Sequence, residues 1–221
     1  MNHKKMLQKF LLICGILSAL LYIGTDILAT IHWEGYSPAS QTVSELIAIN
    51  APTRSLVVPL FVVYALLVFA FGFGIWRSAG QKRSLRFVGS LMAAKEILGL
   101  VVTLVFPIHL RGVEGTLSDV MHGILTGVGV LLCMFPAMVF GAIAFGKQFR
   151  IYSILLLQCC FSSYVAFWLA YTNPSTRQTC LHRGWEFLSA STSLVTCYGL
   201  WYWLLSSCVK KMSQVQKARA K

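Results

Sequence analysis

Charge is what this sequence lacks. Only 12% of its 221 residues are charged, and just seven of them are acidic. A soluble domain carries about 25% charged residues, so too few are present here to cover a globular surface. Catalytic signatures are also missing. There is no CxxC pair, no HxxxH or HExxH, no GxSxG elbow, no Walker loop and no dinucleotide fingerprint. Zinc-hydrolase motifs, the α/β-hydrolase nucleophile and phosphate-cradling loops of those kinds therefore have no support. Seven cysteines occur, but all except Cys180 lie in or at the edges of apolar runs. Adjacent Cys159 and Cys160 point to different helix faces. They read as small packing residues rather than a disulfide framework.

Hydrophobic length is what the sequence has. Residues of the apolar classes make up 57% of the chain. They form continuous runs of about 20 residues, each long enough to span hydrocarbon as a helix. The runs do not alternate, which excludes a barrel and leaves helices. The expected fold is all-α: one polytopic domain over 1–221 with six transmembrane helices, at about 10–31, 56–76, 87–107, 120–145, 151–171 and 186–208. Lys4, Lys5 and Lys9 give the first run the look of a signal peptide. Its length, its internal Asp26 and the lack of a small-x-small cleavage site predict a retained helix instead. Pro136 predicts a kink in the fourth span.

The net charge of +12 would raise nucleic acid as a partner of a soluble protein. Here the basic residues sit in short loops and tails, where they orient helices and meet anionic lipid. The expected partners are membrane lipids and no nucleic acid. Fourteen Lys and Arg fall on the side of the two termini and four on the other: Arg54, Arg111, Arg177 and Arg183. The positive-inside rule then puts both termini of a multi-pass plasma-membrane protein in the cytoplasm. The stretch Gly24–Arg54 is expected outside. Gly35, Ser37 and Pro38 mark a turn in it, and SELIA can form one or two helical turns capped by Thr42 or Ser44 until Pro52.

Ionisable groups inside spans are costly, at ~2.5–3.5 kcal/mol on insertion scales, so their faces are informative. Helical spacing puts Gly15, Ser18, Tyr22 and Asp26 on one face, Met92, Glu96, Gly99 and Thr103 on another, and Asp119, His122, Thr126 and Cys133 on a third. Glu186 heads a similar stripe in the sixth span. Turned inward, these stripes make a polar pocket roofed by the first outer loop, with Asp26, Ser44, Glu45, Arg54, Glu96, Asp119, His122, Arg183 and Glu186 as candidate ligand-binding residues. Bland readings stand beside this. Asp26 can pair with Arg54 or Arg183, Asp119 can cap its own helix, and Arg183 with Glu186 can be an ordinary i, i+3 pair. Lys95 can snorkel or pair with an acid, but adjacent Glu96 points about 100° away in one helix. His109 and His182 are expected to be solvated. A metal site would draw on Asp26 and His122, although zinc needs three or four ligands. No motif names a cofactor or catalytic residue.

The run D-x-x-A-x-x-x-x-x-G-Y-S, followed by Q-T-V-S-E-L-x-A-x-x-A-P-T-R, resembles the bacterial membrane proteins grouped as domain of unknown function 998. Its residues here are Asp26, Ala29, Gly35–Ser37, Gln41–Leu46, Ala48 and Ala51–Arg54. The likeness extends through Phe69–Gly74, Phe106-Pro107 and His122 to Arg183. It implies a multi-span membrane protein of uncharacterised activity. The family pattern leads one to expect an acid soon after Phe106-Pro107, where this chain has Ile108-His109. The residues leave three functions open: binding of a lipid head group or small polar ligand, hydrolysis of lipid within the membrane, or a structural or assembly role.

Overall fold

The computed structural model describes residues 3–36, 41–110, 115–145 and 154. Helix α1 is His3–His32, α2 is Arg54–Ser78, α3 is Arg83–Val105, α4 is Leu117–Val128 and α5 is Phe135–Phe145. A 3-10 turn, Val43–Ile47, stands between α1 and α2, and a π turn, Gly129–Met134, joins α4 to α5. The last three elements form one rod. Among the described residues, four helices are thus long and apolar enough to cross a membrane. The described residues contain no strand. Their one isolated bridge pairs Ile49 with His109. These helices overlap the first four expected spans, although α1 begins at His3 rather than near residue 10. The fifth and sixth, at 151–171 and 186–208, lie outside the described residues.

Each helix end has a local cause. Pro107 biases the residue before it away from helix, and Phe106 leaves α3 with φ −122° and ψ 60°. The fourth span does not simply kink at Pro136. Proline offers no N–H to the carbonyl four residues back and its ring crowds that carbonyl. The chain widens ahead of it, and the N–H of Phe135 bonds Val130 O, five residues back.

Small residues let the helices approach. A Cβ on Gly15 would lie 2.8 Å from the Phe71 ring, and one on Gly74 would lie 2.8 Å from Leu11 Cβ. At Gly89 it would meet Gly72 O at 2.6 Å, so α2 and α3 touch backbone to backbone there. Membrane helices associate by this kind of close packing. Leu12, Phe71, Ile75, Leu85, Met92 and Met138 fill the core around these crossings. Phe10, Leu20, Leu66, Ile97, Leu104 and Leu132 remain exposed, an apolar girdle suited to lipid.

Polar contacts fix the direction of the helices. Gln8 Nε2 donates to Ser78 Oγ at 2.6 Å, and Lys82 Nζ donates to Ala144 O at 3.1 Å. The start of α1, the end of α2, the start of α3 and the end of α5 therefore share one end of the bundle. The loops after α1 and α3 share the other, here termed the loop end.

Candidate functional site: a polar seam at the loop end

The chain from 41 to 54 folds onto the bundle as a compact plug. Thr42 is the cap of the 3-10 turn, as expected, and Glu45 completes it: its carboxylate accepts from the Thr42 N–H at 3.0 Å and from Gln41 Nε2 at 3.2 Å. Leu46 and Ile47 are buried against Ala29, Tyr36 and Val57. Thr53 Oγ1 donates to Leu46 O at 2.9 Å, and the Arg54 guanidinium donates to Ile47 O. Arg54 thus clamps its own loop instead of pairing with Asp26. Asn50 turns the chain with φ 66°, a left-handed conformation that asparagine tolerates. Ser44 is half-buried in the 3-10 turn.

Asp26 lies on α1 beneath this plug. Gly15 and Ser18, below it on the same face, are buried, so the inward stripe of α1 is as the spacing predicted. The Tyr36 hydroxyl hydrogen-bonds the Asp26 carboxylate. Asp26 Oδ1 nevertheless is buried with no hydrogen-bond partner, alone in this among the described residues. Burial, and then the Asp26 charge, hold the Tyr36 hydroxyl well above its ordinary pKa. It therefore stays protonated as a donor.

One turn deeper, Tyr22 stacks on Phe61 with centroids 5.6 Å apart and meets Tyr64 edge-on at 5.4 Å. Tyr22 lies within electrostatic reach of Asp26, Lys95 and Glu96, which carries the seam into α3. There Lys95 Nζ bonds Glu96 Oε1 at 2.6 Å and sits 5.5 Å from the Tyr64 ring centroid. The expectation that these neighbours could not face one another is overturned. Their Cα–Cβ directions diverge, but both side chains are long enough to curl back. An unpaired charge in hydrocarbon costs more than the bent rotamers.

A second polar group closes the α3–α4 junction. Asp119 caps α4, accepting from the Thr116 N–H at 2.7 Å. It also accepts from the His109 N–H at 2.7 Å and contacts His109 Nδ1 at 3.1 Å. His109, expected to be solvated, is held in this junction. It occupies the position where the family pattern suggested an acid, and borrows one from Asp119. His122 is buried, with Nδ1 2.8 Å from Phe106 O. A carbonyl only accepts, so Nδ1 carries the proton and Nε2 the lone pair. Ser118 Oγ donates to Pro107 O at 2.8 Å. The carbonyls of Phe106 and Pro107, just past the end of α3, are thereby bonded.

The candidates thus sort into two groups. Asp26, Glu45 and Glu96 gather along the seam, with Tyr22 and Tyr36 between them. Asp119 and His122 belong to the junction. Main chain links the groups, since the Ile49 N–H donates to Ile108 O at 2.7 Å. Arg183 and Glu186 lie outside the described residues. Among the described residues, no three His, Cys, Asp or Glu side chains converge so as to hold a metal ion. Thr126, read as part of an inward stripe, is exposed. Sequence reasoning passed over Tyr36 and Tyr64 as partners. Tyr36 entered only as part of the Gly35–Ser37 run, and its tie to Asp26 depends on the fold of the loop between them.

Long apolar helices, glycine-mediated crossings and polar groups confined to seams define the class: a helical membrane protein. The chain belongs to the family described as Protein of unknown function (DUF998), which matches residues 16–210. No curated protein and no solved structure matches it.

Proposed function

We propose that this is a six-span plasma-membrane protein, both termini cytoplasmic, that binds a polar ligand at the loop end. The ligand is a lipid head group or a small polar molecule. Asp26 anchors it and the 41–54 plug roofs it. The observation that carries this reading is Asp26 Oδ1, buried without a donor. A buried acceptor left unmade costs ~1–3 kcal/mol, more when charged, and a ligand N–H or O–H would remove that cost. The excess of Lys and Arg on the terminal side supports an outward-facing loop end.

The competing readings have less behind them. A purely structural protein should satisfy its acids fully, as it does Glu96 and Asp119; Asp26 bonds Tyr36 but leaves Oδ1 unpartnered. A hydrolase needs a nucleophile on one imidazole nitrogen and an orienting acid on the other. Around His109, Thr116 Oγ1 and Asp119 both approach Nδ1, at 3.4 and 3.1 Å, which is the geometry of a cap.

Native mass spectrometry of the purified full chain tests the proposal. Wild-type protein should carry a bound polar lipid or small molecule, and Asp26→Asn should lose it while remaining folded. Identical spectra for the two proteins would sink the reading.

A further inference from the structure

Resting on that reading, we infer that the group bound at Asp26 is a primary ammonium, free or as the head of a lipid. The argument starts from sign. The seam offers carboxylates at Asp26 and Glu45 near Tyr36, while the nearby cations are engaged. Arg54 donates to Ile47 O and Lys95 to Glu96. A phosphate or carboxylate entering beside Asp26 would meet like charge at the oxygen that needs a donor.

Aromatic surface adds to the sign. Tyr22 precedes Asp26 by one helical turn, stacked with Phe61 and edge-on to Tyr64. Beyond the other side of Asp26, Trp33 stacks on Tyr36 with centroids 5.7 Å apart. Aromatic faces attract desolvated cations, and most strongly where water is scarce. The chain already seats one ammonium on this set of rings, Lys95 Nζ over Tyr64. The orphaned oxygen then chooses among cations. Oδ1 needs a hydrogen-bond donor, which a primary ammonium supplies three times over and a quaternary one not at all.

The test uses the full chain in lipid nanodiscs, with binding read by native mass spectrometry and by unfolding temperature. The soluble probes are ethanolamine, choline and inorganic phosphate. The lipid probes are phosphatidylethanolamine, phosphatidylcholine and phosphatidylglycerol. Ethanolamine or phosphatidylethanolamine should bind one to one, at least about tenfold more tightly than its trimethylated counterpart, the worth of one charge-assisted hydrogen bond. Whether the free amine or the lipid binds tells the two sources apart. Asp26→Asn should abolish binding, and Tyr36→Phe, which keeps the ring, should weaken it several-fold. Lys95→Met should leave it intact, which checks that the bound cation is not displacing that lysine. Choline binding as tightly as ethanolamine overturns the primary-ammonium assignment. Asp26-dependent binding of phosphate or phosphatidylglycerol overturns it too, while leaving the polar-ligand reading standing. No Asp26-dependent binding of any probe overturns both.

Discussion

Lys95 and Glu96 show how a membrane interior changes what a side chain does. In water, neighbours in a helix would ignore one another. Here Glu96 is 4% exposed at its side chain and Lys95 21%, and each is the other's nearest counter-charge. Glu96→Leu should therefore cost about 3 kcal/mol, because it strands the lysine, and adding Lys95→Met should recover most of that loss. Unfolding in detergent micelles of the two single variants and the double variant measures the coupling. An additive double variant would mean that the pair contributes nothing. At this scale the sequence was partly readable. Asp26 and Glu96 stand out as acids inside apolar runs, and the cap made by Asp119 follows from its place at a helix start. The bond from Tyr36 to Asp26 and the turning of His109 toward Asp119 depend on loop paths that no periodicity encodes.

Helices are where sequence reading succeeded best, since apolar length locates them and Pro52 and Pro107 stand beside the start of α2 and the end of α3. The faces of α1 and α3 were also legible from a period of 3.6. The fourth span was legible only in part: His122 and Cys133 are buried as the stripe expected, Thr126 between them is exposed, and a turn with i→i+5 bonds interrupts the period between Val128 and Phe135. A stripe counted straight through Thr126 to Cys133 assumes a continuity that the backbone does not have. The crossing of α2 and α3 was equally hidden, because glycines at 72 and 89 carry no hydrophobic signal. Their closeness makes a sharp forecast. Gly89→Ala places a methyl against a carbonyl oxygen that cannot step aside without moving α2, and should cost about 1–3 kcal/mol. Gly24→Ala, where an added Cβ meets nothing within 4 Å, is the control and should be neutral in the same unfolding assay.

For the whole molecule, the class was plain from composition, and the orientation rests on charge asymmetry. Alkaline phosphatase fused after Gly35 should be active in a bacterial host, and fused after Gly80 it should be inactive. Green fluorescent protein fused to the C-terminus should fluoresce. The opposite pattern would place Asp26 on the cytoplasmic side and remove the outward-facing site. What composition could not convey is how the loops meet, since that depends on contacts between residues such as Ile49 and Ile108, nearly 60 positions apart in the chain.

That contact has a mechanical consequence. Ile49 is tethered to the segment that leads into α4, and the same segment grips the first turn of α4 through His109 and Asp119. A displacement of the plug above Asp26 would therefore not stay local. It would pull on the lever formed by residues 106–110 and so on the first turn of α4.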